Sequence, residues 1–235
     1  MKAMIFAAGK GTRLGKITDK IPKALLSING KSALQIAVEK AAGYGFDDII
    51  VNIHHHPDLM IKEIKKLRAE GFRIEVSDET ENLLETGGGL YKARWFFNDN
   101  CPFLLYNVDI ISDLNLASMY DFHSKYNPVA TLAVMKRKDN RYFMTGNNGI
   151  LGGWCNTETG EEIITVRSEK MEKVAFTGIH IADPLIFNYM SEGVYSMTEL
   201  YLRISAEKDI CTYLYDGLWH DIGTRESLEA AGGRY

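Results

Sequence analysis

An apolar run near the start of the chain leads directly into a glycine-rich loop. Residues 3–8 are all apolar, and Gly9, Gly11 and Gly15 follow. A short apolar run of this kind is typical of a buried parallel strand, and glycines after it let the backbone turn sharply and approach a ligand. Because backbone N–H groups in such a loop suit phosphate, the feature predicts an α/β fold with an anion site after its first strand.

The loop alone does not define a class of protein. No Gly-Lys-Ser/Thr sequence closes it, so it is not a Walker A loop. It also fits the dinucleotide-binding fingerprint poorly, because the third glycine comes late. Arg13 and Lys23 add positive charge nearby, which favours the interpretation as a phosphate site.

Strands and helices alternate through the first half of the chain. Strand patterns are found at 3–8, 48–53, 72–76 and 103–107, with helices predicted at 32–44, near 57–70 and at 86–97. Such alternation favours a doubly wound, mostly parallel sheet flanked by helices, in which ligands bind outside the carboxyl ends of the strands. The glycine loop and Asp109 both fall at that edge, so we expect them to share one site.

The pattern changes after about residue 128. Strands are predicted at 129–135 and 175–181, and the Asn-Asn-Gly, Gly-Gly and Thr-Gly turns between them indicate hairpins. No linker, internal repeat or low-complexity segment interrupts the chain. We therefore expect one domain over 1–235, with an α/β half at about 1–128 and a β-rich half at about 129–235.

The net charge and the cysteine content exclude some classes of function. A net charge of −4 gives no support for nucleic-acid binding, which needs a basic stripe. The three cysteines lie far apart, which indicates free, buried thiols in a cytoplasmic protein. The chain has no long apolar span and no signal-peptide pattern, so no membrane partner is expected.

Five segments, in order along the chain, resemble the signatures of the sugar-1-phosphate nucleotidyltransferases. They are residues 8–13 with Pro22 and Lys23, 84–89, 107–109, 176–179 and 219–224. The resemblance is greatest to short bacterial members such as the N-acetylmuramate-1-phosphate uridylyltransferases, and nearly as great to the mannose- and heptose-1-phosphate guanylyltransferases. It implies an enzyme that joins a sugar 1-phosphate to an NTP, UTP or GTP, and releases pyrophosphate in nucleotide-sugar synthesis for cell wall or surface polysaccharide.

The resemblance also implies a Rossmann-like, GT-A-type mixed sheet. Its first half, about 1–128, would bind the nucleotide, and its small β-rich second half, about 129–235, would bind the sugar. The enzyme would act in the cytoplasm as a monomer or small homo-oligomer, with the NTP and the sugar 1-phosphate as its partners.

Four charged residues are the implied catalytic set. Asp109 and Asp221 would hold one Mg²⁺ between the α-phosphate and the sugar phosphate, and two carboxylates suffice because Mg²⁺ keeps several waters. Arg13 and Lys23 would contact the leaving pyrophosphate and the α-phosphate, the arginine as a bidentate clamp and the lysine as a point charge. The attacking phosphate oxygen is already an anion, so no general base is needed. Val108 before Asp109 departs from the usual Gly-Asp or Asn-Asp form.

The implied nucleotide-binding residues surround the glycine loop and the later glycine triplet. They are Ala7, Ala8, Gly9, Gly11, Thr12, Glu79, Glu81, Gly87 and Gly88. Glu79 and Glu81 lie where relatives read the base, and a carboxylate can accept two N–H groups of guanine but one of uracil. This chemistry favours GTP, whereas the overall resemblance favours UTP, so the base stays open.

The implied sugar-binding residues are Asn107, Thr177, Gly178 and Glu199. A lysine in a Glu-Lys-Pro sequence often grips the sugar phosphate in this family. Here Lys170 and Lys173 each follow a glutamate but lack the proline, so this assignment stays open.

Two other classes of protein deserve comparison. A GT-A-like glycosyltransferase usually carries an Asp-x-Asp metal motif, and residues 109–113 lack that spacing. A non-catalytic sugar-nucleotide sensor would lack some of the four catalytic charges, and all four are present.

Overall fold

A ten-stranded mixed sheet forms the centre of the computed structural model, which describes residues 1–168 and 170–232. The strands are β1 (Lys2–Phe6), β2 (Ser27–Ile28), β3 (Lys31–Ser32), β4 (Asp48–Ile53), β5 (Arg73–Asp78), β6 (Phe103–Asn107), β7 (Ile110–Ser112), β8 (Ala130–Met135), β9 (Arg141–Gly146), β10 (Leu151–Asn156), β11 (Glu162–Ile164), β12 (Met171–Ala182), β13 (Ile210–Leu214) and β14 (Trp219–Asp221).

Helices connect these strands and cover the sheet. The α-helices are α1 (Ala33–Ala42), α2 (Pro57–Ala69), α3 (Glu85–Lys92), α4 (Leu116–Tyr126), α5 (Met197–Ser205) and α6 (Arg225–Gly232). Short 3₁₀ helices span Thr12–Ile17, Lys23–Leu25, Arg94–Phe96 and Pro184–Tyr189. Among the described residues, no helix combines the length and the apolar character needed to cross a bilayer.

The sheet has a parallel core and an antiparallel extension. Its order is β11-β10-β9-β12-β6-β1-β4-β5, and β8 pairs with both β12 and β13. Strands β6, β1, β4 and β5 are parallel neighbours, whereas β12 joins β6 in the antiparallel sense. The predicted Rossmann-like mixed sheet with a mostly parallel core is confirmed, and β4 and β6 have the predicted bounds.

Both faces of the parallel core are buried. Ala3 and Ile5 of β1 pack in one apolar cluster, and Met4 and Phe6 pack in another on the opposite face. Successive side chains of a strand point to opposite faces, so a strand buried on both sides must be apolar throughout. This explains why the first residues of the chain form an unbroken apolar run rather than an alternating one.

A serine side chain caps the first helix, for which the sequence predicts a start at residue 32. The Ser32 hydroxyl oxygen accepts a hydrogen bond from the N–H of Gln35 at 3.0 Å, as expected for a helix N-cap. The β9, β10 and β11 hairpins form the β-rich region predicted in the second half.

All three cysteines are free, as the sequence predicts. Cys155 and Cys211 are buried, and burial raises the pKa of the Cys211 thiol to about 11. The prediction of burial is wrong for Cys101, which is exposed because it lies in the loop before β6 rather than within a strand.

Candidate active site

Two short strands bring Asp109 and Asp221 together. β7 and β14 form an antiparallel ribbon in which Asp221 lies opposite Ile110. The N–H of Ile222 donates a hydrogen bond to the carbonyl oxygen of Asp109 at 2.9 Å. Asp109 lies in the turn directly after β6, at the carboxyl edge of the parallel strands. The two predicted metal-binding carboxylates, distant in sequence, are therefore neighbours in space.

Each of these carboxylates is paired with a cation from the N-terminal segment. Lys23 Nζ donates to Asp109 Oδ2 at 2.5 Å, and Arg13 Nη2 donates to Asp221 Oδ2 at 3.2 Å. The side chains of Lys23 and Asp109 are only 15% and 12% exposed, whereas that of Arg13 is 61% exposed. The structure thus brings all four predicted catalytic residues into one cluster, with Arg13 at its solvent-facing rim.

Two glycines permit close packing within this cluster. Gly11 has a φ of 65°, and a Cβ there would lie 2.9 Å from Thr18 Cγ2. At Gly223 a Cβ would lie 2.5 Å from Arg13 Nη2 and 2.6 Å from Asp221 Oδ1. The N–H of Gly223 also donates to Asp221 Oδ1 at 2.6 Å, which orients that carboxylate. The sequence analysis assigned no role to Gly223, although it lies in the last of the five segments.

The glycine loop leaves part of its backbone open. The N–H of Ala7 donates to Asn52 Oδ1 at 2.7 Å, which holds the end of β1 beside β4. A Cβ at Gly9 would have no neighbouring atom within 4 Å, so the backbone there is accessible. Ala8 is buried, and Thr12 is exposed at the start of a 3₁₀ helix.

The donor set at this site suits a hard divalent cation. Asp109 and Asp221 supply carboxylate oxygens side by side, and a cation held by two carboxylates and phosphates keeps several waters, as Mg²⁺ does. Among residues 1–168 and 170–232, no three or more His, Cys, Asp or Glu side chains converge as a metal-binding group. The arrangement therefore fits a Mg²⁺ ion shared with phosphates and does not fit a site made wholly of protein ligands.

Glu79 lies inside the protein rather than on a ligand-facing surface. Glu79 is fully buried. Its Oε1 accepts a hydrogen bond from Asn52 Nδ2 at 2.8 Å, and its Oε2 accepts one from the N–H of Leu84 at 3.3 Å. Burial raises the pKa of the Glu79 carboxyl, and the hydrogen bond from Asn52 partly opposes that shift. We call Asn52, Glu79 and the N–H groups of Ala7 and Leu84 the buried network; it holds the ends of β1, β4 and β5 to the start of α3.

The position of Glu79 differs from the base-reading role implied by the sequence. Glu79 is fully buried and each of its oxygens accepts from a protein donor, so the carboxylate is not exposed to a base. Glu81 is exposed instead, and it lines a cavity of about 390 Å³ with Tyr91 and Arg94.

The glycine triplet is required by protein packing. A Cβ at Gly87 would lie 2.4 Å from Tyr195 Cδ2, and one at Gly88 would lie 2.1 Å from the carbonyl oxygen of Gly193. At Gly89 it would lie 2.6 Å from Glu79 Oε1. These glycines therefore let α3 pack tightly on segment 193–195 and on the buried network.

A cavity of about 310 Å³ lies between the glycine loop and the start of α3. It is lined by Phe6, Ala8, Gly9, Asn52, Leu83, Glu85, Thr86 and Ser196. Its walls are mostly apolar, and it lies at the carboxyl ends of β1 and β4, where α/β sheets bind ligands. We call it the loop cavity. Two of the five segments, 8–13 and 84–89, contribute to its walls, whereas the sequence analysis assigned no role to Asn52, Glu85 or Ser196.

Thr177 and Gly178 form an irregularity in β12 that supports the carboxylate cluster. The register of β12 against β8 shifts between Phe176 and His180, and Gly178 has a φ of 81°. The Thr177 hydroxyl donates to the carbonyl oxygen of Ala133 at 2.9 Å, while its own carbonyl accepts from Trp219 Nε1 at 2.9 Å. Thr177 therefore anchors the residue that begins β14, the strand that carries Asp221.

Other predicted sugar-site residues have mainly structural contacts. A Cβ at Gly178 would lie 2.8 Å from Asn107 Nδ2, so the glycine makes room for that side chain at the end of β6. Glu199 completes a capping box, because its Oε2 accepts from the N–H of Ser196 at 2.8 Å while the Ser196 hydroxyl accepts from the N–H of Glu199 at 3.2 Å.

Lys170 and Lys173, the candidates for contact with the sugar phosphate, have different surroundings, and Lys173 lies beside an arginine that the sequence analysis missed. Lys173 lines an open cavity of about 590 Å³ together with Arg137, whereas the Glu169 that precedes Lys170 lies outside the described residues. The guanidinium of Arg137 lies 3.9 Å from the Trp219 ring centroid and donates to the carbonyl oxygen of Phe176 at 2.9 Å. Arg137 therefore links β12 to β14, the strand that carries Asp221, and this role is visible only from its neighbours in the three-dimensional structure.

Comparison with known proteins places this chain in one family. The family model for nucleotidyl transferase matches residues 2–235. The chain therefore belongs to the nucleotidyl transferase family, a family of enzymes. The described fold agrees with that of HddC from Yersinia pseudotuberculosis, with a TM-score of 0.79 and 19% identity over 99% of this chain and 98% of that one.

Two relatives indicate the range of the family. The N-acetylmuramate alpha-1-phosphate uridylyltransferase of Caulobacter vibrioides is 28% identical, over 99% of this chain and 96% of the relative. The mannose-1-phosphate guanyltransferase of Yarrowia lipolytica is 27% identical, over 95% of this chain. This chain spans 61% of the length of the guanyltransferase, which is the longer protein.

Proposed function

We propose that the protein transfers a nucleotidyl group from UTP or GTP to a sugar 1-phosphate, which gives a nucleotide-sugar and pyrophosphate. The observation that carries this proposal is the cluster in which Asp109 and Asp221 are adjacent and paired with Lys23 and Arg13. Relatives described as a uridylyltransferase and a guanyltransferase support it. Synthesis of precursors for cell wall or surface polysaccharide is the pathway class that fits such a product.

The reaction needs little covalent help from the protein. An oxygen of the sugar phosphate forms a bond to the α-phosphorus of the NTP, and the bond from that phosphorus to the bridging oxygen of the β-phosphate breaks. The main obstacle is the mutual repulsion of two polyanions, so positioning and positive charge provide the catalysis. This explains why paired charges would suffice for the reaction without a general base.

Asp109 and Asp221 are the residues that would hold Mg²⁺. When bound, Mg²⁺ would supply positive charge between the two phosphates. Lys23 and Arg13 neutralise the two carboxylates in the described structure and would exchange them for phosphate oxygens when substrate binds. Arg13 can move more easily because it is exposed, so we assign it to the leaving pyrophosphate and the more enclosed Lys23 to the α-phosphate.

The two halves of the chain would divide the substrates between them. The nucleoside would occupy the loop cavity, within the half at about 1–128, and the sugar would lie toward Thr177 and Trp219, within the half at about 129–235. Both halves share one sheet, so we treat them as one domain over 1–235. We place the reaction in the cytoplasm, where reducing conditions keep thiols free. For the oligomeric state, we still predict a monomer or a small homo-oligomer.

A substrate panel tests the proposal directly. Purified protein with Mg²⁺ is given each of the four NTPs with a set of sugar 1-phosphates, and pyrophosphate release is measured. We expect release with UTP or GTP only when a sugar 1-phosphate is present, and none in excess EDTA. Absence of release with every pair would overturn the proposal, and full activity in EDTA would overturn the role of the metal.

A further inference from the structure

Arg137 lies two residues after β8, and its guanidinium is held on three sides. Nη2 donates to the carbonyl oxygen of Phe176 at 2.9 Å, Nη1 forms an ion pair with Asp139 Oδ2 at 2.5 Å, and the Trp219 ring centroid lies 3.9 Å from the guanidinium carbon. The side chain is only 24% exposed. Because its charge is already balanced by Asp139, Arg137 serves as a fixed link rather than as a free cation for a substrate.

The irregularity in β12 supplies the acceptors for this link. The register of β12 against β8 shifts between Phe176 and His180, and a disrupted ladder leaves backbone groups unpaired unless side chains reach them. Arg137 donates to the carbonyl oxygen of Phe176, and Trp219 Nε1 donates to that of Thr177 at 2.9 Å. Two side chains that stack on each other therefore bind two consecutive carbonyl groups of β12.

The indole ring of Trp219 and the carboxylate of Asp221 project from the same side of β14. The two residues are separated by one position in the strand, which pairs with β7, and side chains at i and i+2 share a face. The Asp221 carboxylate is otherwise held by the N–H of Gly223 and by the exposed Arg13. Fixing the Trp219 ring therefore restricts how this face of β14, with its carboxylate, can move.

We infer that Arg137 is a positioning residue for Asp221: it holds Trp219 against β12 and thereby fixes the direction in which the Asp221 carboxylate would meet Mg²⁺. The inference rests on the proposed function. Groups that orient a metal-binding side chain without touching the metal control its affinity. Arginine suits this position because its planar group can stack on an indole ring while its N–H groups donate in the plane, which an ammonium group cannot do.

Two variants remove the link from opposite ends. Arg137→Lys keeps a positive charge beside Asp139 but loses the planar group that stacks on the indole. Trp219→Leu removes the ring and leaves the arginine. Their double variant shows whether the two residues act through one contact. Arg141→Lys is the matched control, because it makes the same substitution at an exposed arginine of β9.

Three measurements separate positioning from a purely structural role. Thermal melts give the stability of each variant. Pyrophosphate release per folded molecule, measured over a range of Mg²⁺ and sugar 1-phosphate concentrations, gives the half-saturating Mg²⁺ concentration and the KM. Tryptophan fluorescence of the metal-free protein reports on the Trp219 ring, whose contribution is identified by its loss in Trp219→Leu.

We expect Arg137→Lys to raise the half-saturating Mg²⁺ concentration by about 10-fold, the effect of losing a group that orients a metal ligand. Excess Mg²⁺ should restore much of the rate, and the KM for the sugar 1-phosphate should not change. The Trp219 emission should move to longer wavelength because the ring loses its cover. Trp219→Leu should show the same Mg²⁺ effect, the double variant should be no worse than the worse single variant, and Arg141→Lys should match the wild type.

Four results would overturn the inference while the proposed function stands. An unchanged Mg²⁺ response in Arg137→Lys, whatever its Tm, would leave the residue with a structural role alone. A rise only in the KM for the sugar 1-phosphate would show that the guanidinium contacts the substrate. Unchanged Trp219 emission would show that Arg137 does not hold the ring, and additive effects in the double variant would show that the two residues act separately.

Two further outcomes are also decisive. If Arg137→Lys does not fold, Trp219→Leu carries the test, and an unchanged Mg²⁺ response in that variant overturns the inference. If the wild type releases pyrophosphate from no NTP with any sugar 1-phosphate, the proposed function fails and the inference fails with it.

Discussion

The carboxylate cluster and the buried network lie at the same edge of the sheet, but their charges are held in opposite ways. In the cluster, Arg13 and Lys23 each contact one carboxylate, and Arg13 is largely exposed. In the buried network, Glu79 is shielded from water and both its oxygens accept hydrogen bonds from fixed donors. The proposed substrate-binding charges thus have partners that they can exchange, whereas the Glu79 carboxyl group is enclosed and held by fixed donors.

The largest effect should come from the carboxylates of the cluster. Asp221→Asn should lower pyrophosphate release by about 100-fold or more, because a group that stabilises charge in the transition state is removed. Its Tm should change little, since Arg13 is exposed. Steady-state kinetics and thermal melts measure both, with the exposed Asp216→Asn as the matched control. A near-native rate would remove Asp221 from the site.

Asp109→Asn sharpens the comparison within the cluster. The loss of activity should be similar, but the Tm should fall further than in Asp221→Asn. The Lys23 ammonium would keep its charge in a largely enclosed position without an opposite charge beside it. Equal Tm values for the two variants would show that the Lys23 pair is as well solvated as the Arg13 pair.

Arg13→Ala should reduce kcat/KM by about 10- to 100-fold while the Tm stays within error, since a charge-assisted contact to phosphate is lost but no core contact is. Arg13→Lys should remain impaired because a point charge cannot reproduce the guanidinium fork. Arg225→Ala, which removes another exposed ion pair, should leave kcat/KM unchanged. Wild-type kinetics in both Arg13 variants would contradict the phosphate role.

Glu79→Gln should reduce stability strongly and activity only slightly, the reverse of the Arg13 variants. The amide can accept from only one of the two donors, so one buried donor loses its acceptor at a cost of about 1–3 kcal/mol in the free energy of unfolding. Turnover per folded molecule should fall much less than in Asp221→Asn. Urea unfolding measures the effect, and the exposed Glu75→Gln on the same strand is the control. Unchanged stability would mean that the buried network does not hold the cavity together.

The smallest effect should be a pH dependence of the stability that involves Glu79. Because burial raises the pKa of Glu79 above 4.5, the folded state binds more protons than the unfolded state between 4.5 and the folded pKa. Stability should therefore fall as pH rises through that interval in the wild type, relative to Glu79→Gln. Burial lowers the pKa of His123 to about 4 and that of His180 to about 3. These two histidines therefore destabilise the folded protein as pH falls below 6.5, which is the opposite direction. Their contribution cancels in the comparison of the two proteins, and a flat difference would contradict the raised pKa.

Much of the fold could be predicted because its signals are local. The apolar run of β1, the apolar patterns of β4 and β6, and the Ser32 cap each depend on neighbouring residues in the chain. The four charged residues of the cluster could also be named, since each lies in a short recognisable segment. Their pairing could not, because the contact between Asp109 and Ile222 forms only when distant segments meet in the sheet.

The sequence by itself determined the class of fold, the edge of the sheet that carries the site, and the residue types available there. Only the tertiary structure decided which acidic side chains are buried and hydrogen-bonded and which are exposed. Glu79 and Glu85 lie close together in the chain and have the same side chain, yet one is fully buried with two donors and the other lines a cavity with none. The physical reason is that burial and side-chain direction depend on the packing of α3 against segment 193–197, which no local pattern encodes.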